Sequence, residues 1–237
     1  MTLLYRATGR GLARFCFSNL GRLEVTGREG VPPYGPLIVV SNHLSYTDPP
    51  LLVASIPRPL YFICKGSRFV NPISKYVLGR FHVTPFDWSG LRVDAARLTL
   101  RMLAQDRAVV VFPEGHRSPD HTMKAGMLGV VYLALKSQAP ILPVGLTGSE
   151  KIRGWRMPLP LCRLSANIGQ PFTLPLLEGR PSREVMASLL DLIMVRIADL
   201  LPAQYRGVYS TSARSAAGAA AGGPARAGKG GPGAESH

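Results

Sequence analysis

The chain has 237 residues, of which 46% are hydrophobic and 18% are charged, so most of it can fold as one sizeable α/β domain with its own core. Its 28 lysines and arginines exceed its 14 acidic residues and give a net charge of +14, which predicts an anionic partner such as anionic lipid, a phosphorylated substrate or nucleic acid. The three cysteines (Cys16, Cys64 and Cys162) are far apart, which excludes a disulfide framework or a paired zinc site and fits a reducing compartment.

Residues 1–22 predict an amphipathic helix. Arg6, Arg10 and Arg14 recur every four residues and form one basic row. The other side carries Leu4, Tyr5, Thr8, Leu12, Phe15 and Cys16. A basic, two-faced helix can lie in a lipid interface, and the alternative is a helix packed on the domain with a solvated basic face. We expect contact with an anionic membrane surface.

No window of the sequence reaches the roughly 18 uncharged apolar residues of a transmembrane helix. The N-terminus also lacks the compact apolar core of a cleaved signal peptide. We therefore expect a protein that lies peripherally on the cytoplasmic face of the cell membrane.

Apolar runs and helical spacing predict the remaining elements. Buried strands are expected at 23–26, 37–40, 60–64, 81–85, 108–112 and 141–146, with one or two more between 161 and 171. Helices are expected at 51–54, 72–78, 93–103 and 127–135, and a last helix opens at Pro181-Ser182 with Ser182 as its cap. In that helix Val185, Leu189, Ile193 and Ile197 recur every four residues, which predicts core packing.

Strands that alternate with helices predict a single α/β domain over residues 23–207, with a central, largely parallel sheet flanked by helices. Residues 208–237 form a tail rich in alanine, glycine and arginine. Such a tail cannot bury enough surface to fold, so we expect it to be disordered.

Two polar motifs follow predicted strands. The first, Asn42-His43 with Asp48 five residues after the histidine, ends in a double proline. On a helix these two side chains would lie roughly 140° apart, whereas in a loop Asp48 can accept a hydrogen bond from His43 and leave its other ring nitrogen free as a base. The alternative is that these are ordinary turn residues.

The second motif, Pro113-Glu114-Gly115-His116-Arg117-Ser118, follows the strand at 108–112 directly, and Lys65 follows the strand at 60–64. In a parallel sheet these strand ends can converge on one edge, which would bring the lysine and both motifs to one cleft.

Together the two motifs resemble those of the glycerolipid acyltransferases, specifically the lysophosphatidic acid acyltransferase branch. The histidine and aspartate motif is followed by Phe112-Pro113-Glu114-Gly115-x-Arg117-Ser118, Lys65 lies where the family has a lysine, and Ile141-Leu142-Pro143-Val144 resembles its apolar block. The resemblance runs from about residue 36 to 150 and implies the fold of that family.

The resemblance also implies a mechanism. His43, oriented by Asp48, would act as the general base on an acceptor hydroxyl, which attacks an acyl thioester on coenzyme A or acyl carrier protein; no further cofactor and no metal is implied. Asn42, Lys65, Glu114, Gly115 and Arg117 would bind substrate, and an arginine can pair with phosphate by two parallel hydrogen bonds. The implied acceptor is a lysophospholipid, 1-acyl-glycerol-3-phosphate, and the product is phosphatidic acid. For Glu114 a structural role in the loop is the alternative, and His116, where the family commonly has threonine, is given no catalytic role.

One block departs from the family. Where a phosphate-binding arginine is usual, the chain has Pro85 or Trp88, although Arg80 or Arg92 can compensate. Another lysolipid or an alcohol is therefore an alternative acceptor. A non-enzymatic basic module for membrane or nucleic acid is a further alternative, but no nucleic-acid motif is present and we expect no nucleic-acid partner. A metal hydrolase built on the histidines fails on their spacing.

Overall fold

The computed structural model of the chain describes residues 10–65, 82–86, 92–152 and 160–210. The first nine residues of the predicted N-terminal helix, the predicted helix at 72–78, Trp88 and the C-terminal tail from residue 211 lie outside the described residues.

Seven strands form one sheet in the part of the chain that the structure describes. They are β1 (Leu23–Thr26), β2 (Leu37–Ser41), β3 (Leu60–Lys65), β4 (Val83–Phe86), β5 (Ala108–Val111), β6 (Ile141–Thr147) and β7 (Leu164–Ile168). Their order across the sheet is β1-β7-β6-β2-β5-β3-β4. Every neighbouring pair is parallel except β6 and β7, so the predicted α/β fold with a largely parallel sheet is confirmed.

Besides the helical segment at residues 10–20, four α-helices of the described chain flank this sheet: α1 (Asp48–Ser55), α2 (Arg92–Leu103), α3 (Gly129–Ser137) and α4 (Arg183–Ala198). The double proline lies in the first turn of α1. Proline is tolerated there because the first N–H groups of a helix have no acceptor within the helix, so the N–H group that proline lacks is not missed. The helix therefore begins three residues before the predicted one. Ser182 caps α4 as predicted, since its hydroxyl accepts the N–H of Val185 at 3.3 Å.

The sheet is covered on both faces. Leu37 and Val39 of β2 face a core shared with α1 and the N-terminal helical segment, whereas Ile38 and Val40 face the core under α2, α3 and α4. All five residues of β2 are buried, which is typical of a central strand in a parallel sheet. The strand that carries the histidine motif is therefore held from both sides.

In α4 the predicted core stripe is only partly right. Ile193 and Ile197 are buried, but Val185 is exposed and Leu190 and Met194 complete the buried face. A repeat of four residues drifts by about 40° per step on a helix with 3.6 residues per turn, so a stripe that begins at Val185 leaves the core side.

Residues 10–20 are helical, and Cys16–Leu20 form a π-helical turn. Ala13 and Phe17 pack on the sheet, whereas Leu12 and Phe15 are 64% and 59% exposed. Leu12 and Phe15, two members of the predicted apolar side, are thus turned to solvent, and a different pair holds the segment on the domain. None of the described helices has the length and apolar character needed to cross a bilayer. Membrane contact stays a prediction.

Candidate active site

The carboxyl ends of four neighbouring strands meet at one edge of the sheet. β6, β2, β5 and β3 lie side by side and run in the same direction, so the residues that follow them emerge together. The histidine motif follows β2, and the glutamate and arginine motif follows its neighbour β5. The predicted convergence of these strand ends is confirmed by the topology.

His43 and Asp48 form a hydrogen-bonded pair. The loop after β2 returns to the first turn of α1, where Asp48 Oδ2 lies 2.7 Å from Nδ1 of His43. The same oxygen accepts the N–H groups of Leu44 and Ser45, at 2.7 and 2.8 Å. A carboxylate accepts hydrogen bonds and so matches these three donors. Its position in the first turn of α1 is also favourable, because the N-terminus of a helix favours negative charge.

Ser149 completes the surroundings of Asp48. It follows β6, and its hydroxyl donates to Oδ1 of Asp48 at 2.5 Å. Both residues are fully buried. The turn before it depends on Gly148, whose φ is +86° and whose Cβ, if present, would lie 2.1 Å from the carbonyl oxygen of Arg163. Sequence reasoning missed Ser149, since no local pattern relates two residues 101 positions apart.

The imidazole of His43 is fixed on a second side by Phe112, whose ring stacks on it at a centroid distance of 4.0 Å and an angle of 18°. The histidine side chain keeps 17% of its surface exposed. Among the described residues none bonds to Nε2, so this nitrogen can exchange a proton with a bound molecule. From the sequence, Phe112 was assigned only to the strand and the motif, and its contact with His43 was not predicted.

Glu114 joins the two motifs through backbone groups. It is 2% exposed, and its carboxylate accepts the N–H of His43 at 3.1 Å and the N–H of Lys124 at 2.8 Å. Burial raises the pKa of Glu114 above its ordinary value, although both N–H groups and the nearby His43 oppose this shift. In addition, the N–H of Ser118 donates to the carbonyl of His43 at 2.9 Å. These contacts correspond to the structural alternative for Glu114, and its contact with substrate stays a prediction.

Gly115 lies at the tip of the second motif with φ of +73°. A Cβ at this position would come within 2.0 Å of the methyl group of Met127. The glycine therefore lets the backbone turn beneath the start of α3, a conformation that residues with a side chain rarely adopt.

Arg117 is exposed beside the dyad. Its Nη2 donates to the hydroxyl of Tyr46 at 2.8 Å, and its guanidinium carbon lies 3.6 Å from the centroid of the Tyr46 ring. Tyr46 belongs to the loop between His43 and Asp48, so the arginine is held over the loop that forms the dyad. An exposed guanidinium can pair with a phosphate group, and the cation–π contact orients it for that.

Asn42 and Lys65 are the other two residues that the sequence predicts to bind substrate. Asn42 is buried, and its side-chain amide bonds to both backbone groups of Leu146, donating at 2.9 Å and accepting at 2.8 Å. This gives Asn42 a role in joining β2 to β6 that the sequence did not predict. Lys65 ends β3 at the same edge of the sheet. For both residues the substrate contact stays a prediction.

The dyad and Arg117 together can act on a substrate that carries both a hydroxyl group and an anionic group: the histidine as a base on the hydroxyl, and the arginine as a partner of the anion. The dyad supplies a histidine whose tautomer is fixed by a carboxylate, and the nucleophile must come from the substrate because none stands at Nε2 among the described residues. The exposed Arg117 supplies positive charge nearby.

Several known proteins that are similar to this chain in sequence or fold are named as acyltransferases. Residues 22–147, more than half of the chain, match the family described as Acyltransferase. The chain is 31% identical over 134 residues to the chloroplastic 1-acyl-sn-glycerol-3-phosphate acyltransferase of Arabidopsis thaliana, covering 55% of this chain and 37% of that one. A 1-acyl-sn-glycerol-3-phosphate acyltransferase of Chlamydomonas reinhardtii is 27% identical over 190 residues, with coverages of 78% and 55%. The human beta enzyme of the same name is 30% identical over 126 residues, with coverages of 52% and 45%.

The fold has a solved counterpart. The crystal structure of the 1-acyl-sn-glycerophosphate acyltransferase PlsC from Thermotoga maritima superposes with a TM-score of 0.65 at 24% identity, and the match covers 82% of this chain and 78% of that one. This likeness bears on the fold. The chain spans about half the length, or less, of the curated relatives it matches. The family match over residues 22–147 confirms the resemblance carried by the two motifs, and the chain belongs to the Acyltransferase family.

Proposed function

We propose that this chain transfers a fatty acyl group from acyl-coenzyme A or acyl carrier protein to the free hydroxyl of 1-acyl-glycerol-3-phosphate, giving phosphatidic acid. The observation that carries the proposal is the hydrogen bond of 2.7 Å between His43 Nδ1 and Asp48 Oδ2, which leaves Nε2 as the base. The names of the curated relatives support the acceptor.

In the proposed reaction Nε2 of His43 takes the proton of the acceptor hydroxyl as its oxygen attacks the thioester carbonyl carbon. The tetrahedral intermediate then collapses, the carbon–sulfur bond breaks, and the thiolate takes the proton back from Nε2. The histidine ends as it began, and Asp48 stabilises the transient imidazolium without taking its proton. No cofactor or metal takes part, since the thioester itself provides the leaving group.

Arg117 binds the acceptor phosphate in this proposal. It is exposed, and Tyr46 holds it over the loop of the dyad, so a phosphate paired with it brings the free glycerol hydroxyl close to His43. Lys65, at the end of β3, supplies a second positive charge at the same edge of the sheet.

We further propose that the chain lies peripherally on the anionic cytoplasmic face of the cell membrane, with the helical segment 10–20 in the interface. The exposed Leu12 and Phe15 support this orientation, because apolar side chains turned to water on a basic helix suit the boundary between headgroups and acyl chains. The net charge of +14 adds attraction to anionic lipid.

The test is acyl transfer by the full chain to a panel of acceptors: lysophosphatidate, lysophosphatidylcholine and a long-chain alcohol, each with acyl-coenzyme A and with acyl carrier protein. We expect His43→Ala to lose about 10²–10⁴-fold in kcat/KM with lysophosphatidate, because the base is gone. His116→Ala is the matched control, since His116 lies in the neighbouring loop and its Nδ1 contacts only the carbonyl of Arg117 among the described residues.

Full activity of a folded His43→Ala variant would refute the mechanism. Transfer to another lysolipid or to the alcohol, with none to lysophosphatidate, would leave the dyad chemistry in place and refute the acceptor. Absence of transfer to every acceptor, together with salt-sensitive binding to polyanions, would favour a non-enzymatic basic module instead.

A further inference from the structure

A basic groove lies between the N-terminal helical segment and β1, which we call the arginine groove. Arg14 and Ser18 of the helical segment, Leu23 and Val25 of β1, and Arg28 line a cavity of about 270 Å³. The two arginines and the serine offer hydrogen-bond donors, and the two β1 side chains form an apolar floor.

Three arginines converge at this groove. Burial, followed by repulsion from Arg14 and Arg28, lowers the pKa of Arg10 below its ordinary value. Burial and Arg14 likewise lower the pKa of Arg28. Arg14 and Arg28 line the same cavity, and Arg10 precedes Arg14 by one helical turn on the same segment, so the three guanidinium groups lie near one another.

The described residues supply no carboxylate to this cluster. Their ion pairs join His43 to Asp48, Arg97 to Asp94 and Lys124 to Asp120, so none reaches the groove. Arg28 is held in place because its Nε donates to the carbonyl of Ser55 at 2.9 Å. This bond fixes a cation without neutralising it, and an anion that bound in the groove would stabilise the cluster.

The arginine groove is separate from the dyad. β1 is parallel to β7, β7 is antiparallel to β6, and β6 is parallel to β2, so β1 ends where β2 begins. Arg28 thus lies at the edge of the sheet opposite to His43. The carbonyl it binds belongs to the last residue of α1, whereas Asp48 is the first, and eight helical residues span about 12 Å.

We propose that the arginine groove is a second anion site, which binds a phosphate group through Arg14 and Arg28, with Arg10 adding charge and the Ser18 hydroxyl a further donor. Paired guanidinium groups bind phosphate oxygens by parallel hydrogen bonds, and the apolar floor suits a phosphate carried on a larger, partly apolar molecule. The phosphate comes either from an anionic lipid headgroup, which the exposed Leu12 and Phe15 on the same segment would accompany, or from a soluble phosphate ester. The site does not depend on the proposed acyl transfer, because it shares no residue with the dyad, whereas its lipid-headgroup source rests on the proposed membrane contact of the segment 10–20.

The test compares the full wild-type chain with Arg14→Gln and with the double variant Arg14→Gln, Arg28→Gln. Thermal unfolding is followed with and without inorganic phosphate, and flotation is measured with vesicles of phosphatidylcholine alone or mixed with phosphatidic acid. The matched control is Arg97→Gln, Arg101→Gln, which removes two exposed cations from α2 and leaves the same net charge as the double variant.

Without phosphate, Arg14→Gln should unfold at the wild-type temperature or above it, because repulsion is relieved. With phosphate, the rise in unfolding temperature should be larger for the wild type than for either groove variant, since only the wild type has the intact site. Any phosphate bound at Arg117 contributes equally to all of these proteins. Binding to vesicles with phosphatidic acid should weaken by about tenfold or more in the double variant and stay unchanged in the control.

A loss in the phosphate arm identifies a soluble ester as a ligand, and a loss in the vesicle arm alone identifies a lipid headgroup. The proposal is overturned if the control variant loses as much as the double variant, because net charge then explains the binding. It is also overturned if phosphate and phosphatidic acid act equally on the wild type and on Arg14→Gln, a variant that removes no hydrogen bond of the described structure.

Discussion

Replacement of Ser149 by alanine should disturb the position of Asp48 in the dyad while leaving both dyad residues unchanged. The Ser149 hydroxyl is the donor at 2.5 Å to Oδ1 of Asp48, and both residues are fully buried. The other oxygen of Asp48 keeps its bonds to His43, Leu44 and Ser45. The substitution therefore leaves one buried carboxylate oxygen without its donor while the loop of the dyad stays anchored.

The expected cost follows from the charge of the partner. A hydrogen bond to an ionised group contributes about 1.5–3 kcal/mol to stability, against about 0.5–1.5 kcal/mol for a neutral pair. Ser55→Ala is a matched control, because Ser55 is equally buried and its hydroxyl donates to the neutral carbonyl of Leu51 at 2.8 Å. We expect Ser149→Ala to lose about 1 kcal/mol more than Ser55→Ala in the free energy of unfolding.

The two variants should also differ in kcat. If the freed carboxylate shifts and holds His43 less well, a loss of about 1.4 kcal/mol in stabilising the transition state is a tenfold fall in kcat. Ser55 is at the far end of α1 and should leave kcat unchanged. The assays are urea denaturation and the initial rate of acyl transfer from a thioester, and nitrogen NMR shifts of the imidazole report the position of its proton. Equal stability losses and an unchanged kcat in Ser149→Ala would refute this account.

Three further outcomes follow from single contacts. Asn42→Ala should lose about 2–4 kcal/mol in urea denaturation, because two backbone groups of β6 lose their partner, and a raised KM for the acceptor with unchanged stability would instead favour the substrate-binding role. Gly115→Ala should lose about 1–2 kcal/mol, since its φ is +73°, and truncating Met127 as well should relieve only the steric part; a thermal midpoint equal to wild type would contradict this. Burial, and then the hydrogen bond to Glu150, raises the pKa of Tyr205 to about 12. Since an unfolded tyrosine titrates near pH 10, the wild type should lose stability between about pH 10 and 12 as its unfolded state releases the proton first, and Tyr205→Phe should lack this part of the slope in alkaline urea titrations.

Much of the fold was predictable because it rests on local pattern. Each strand expected from an apolar run lies within a few residues of an observed one, and the parallel arrangement followed from their alternation with helices. The dyad was predictable for the same reason, since His43 and Asp48 are five residues apart and a loop leading to a helix brings them together.

The partners of the dyad were not predictable in this way. Ser149 and Glu114 reach it from other strands, and their contacts are set by the order and direction of β6, β2 and β5, which no short pattern encodes. Asn42 was expected to contact substrate because the family resemblance implied it, but its side chain bonds to the backbone of Leu146 in β6, a partner 104 positions away that the motif does not indicate. The face that holds residues 10–20 was also missed, since helical spacing alone does not show which of two apolar pairs meets the sheet.

Glu114 has a consequence for how the chain acquires activity during folding. Its bond to His43 joins residues 71 positions apart, the bond between Asp48 and Ser149 spans 101, and the amide of Asn42 bridges 104. Contacts of such long range form late, after loop closure has been completed. In a refolding experiment the helical signal should therefore return before acyl transfer activity does. The time at which activity returns would then report when β5 and β6 complete their contacts with β2.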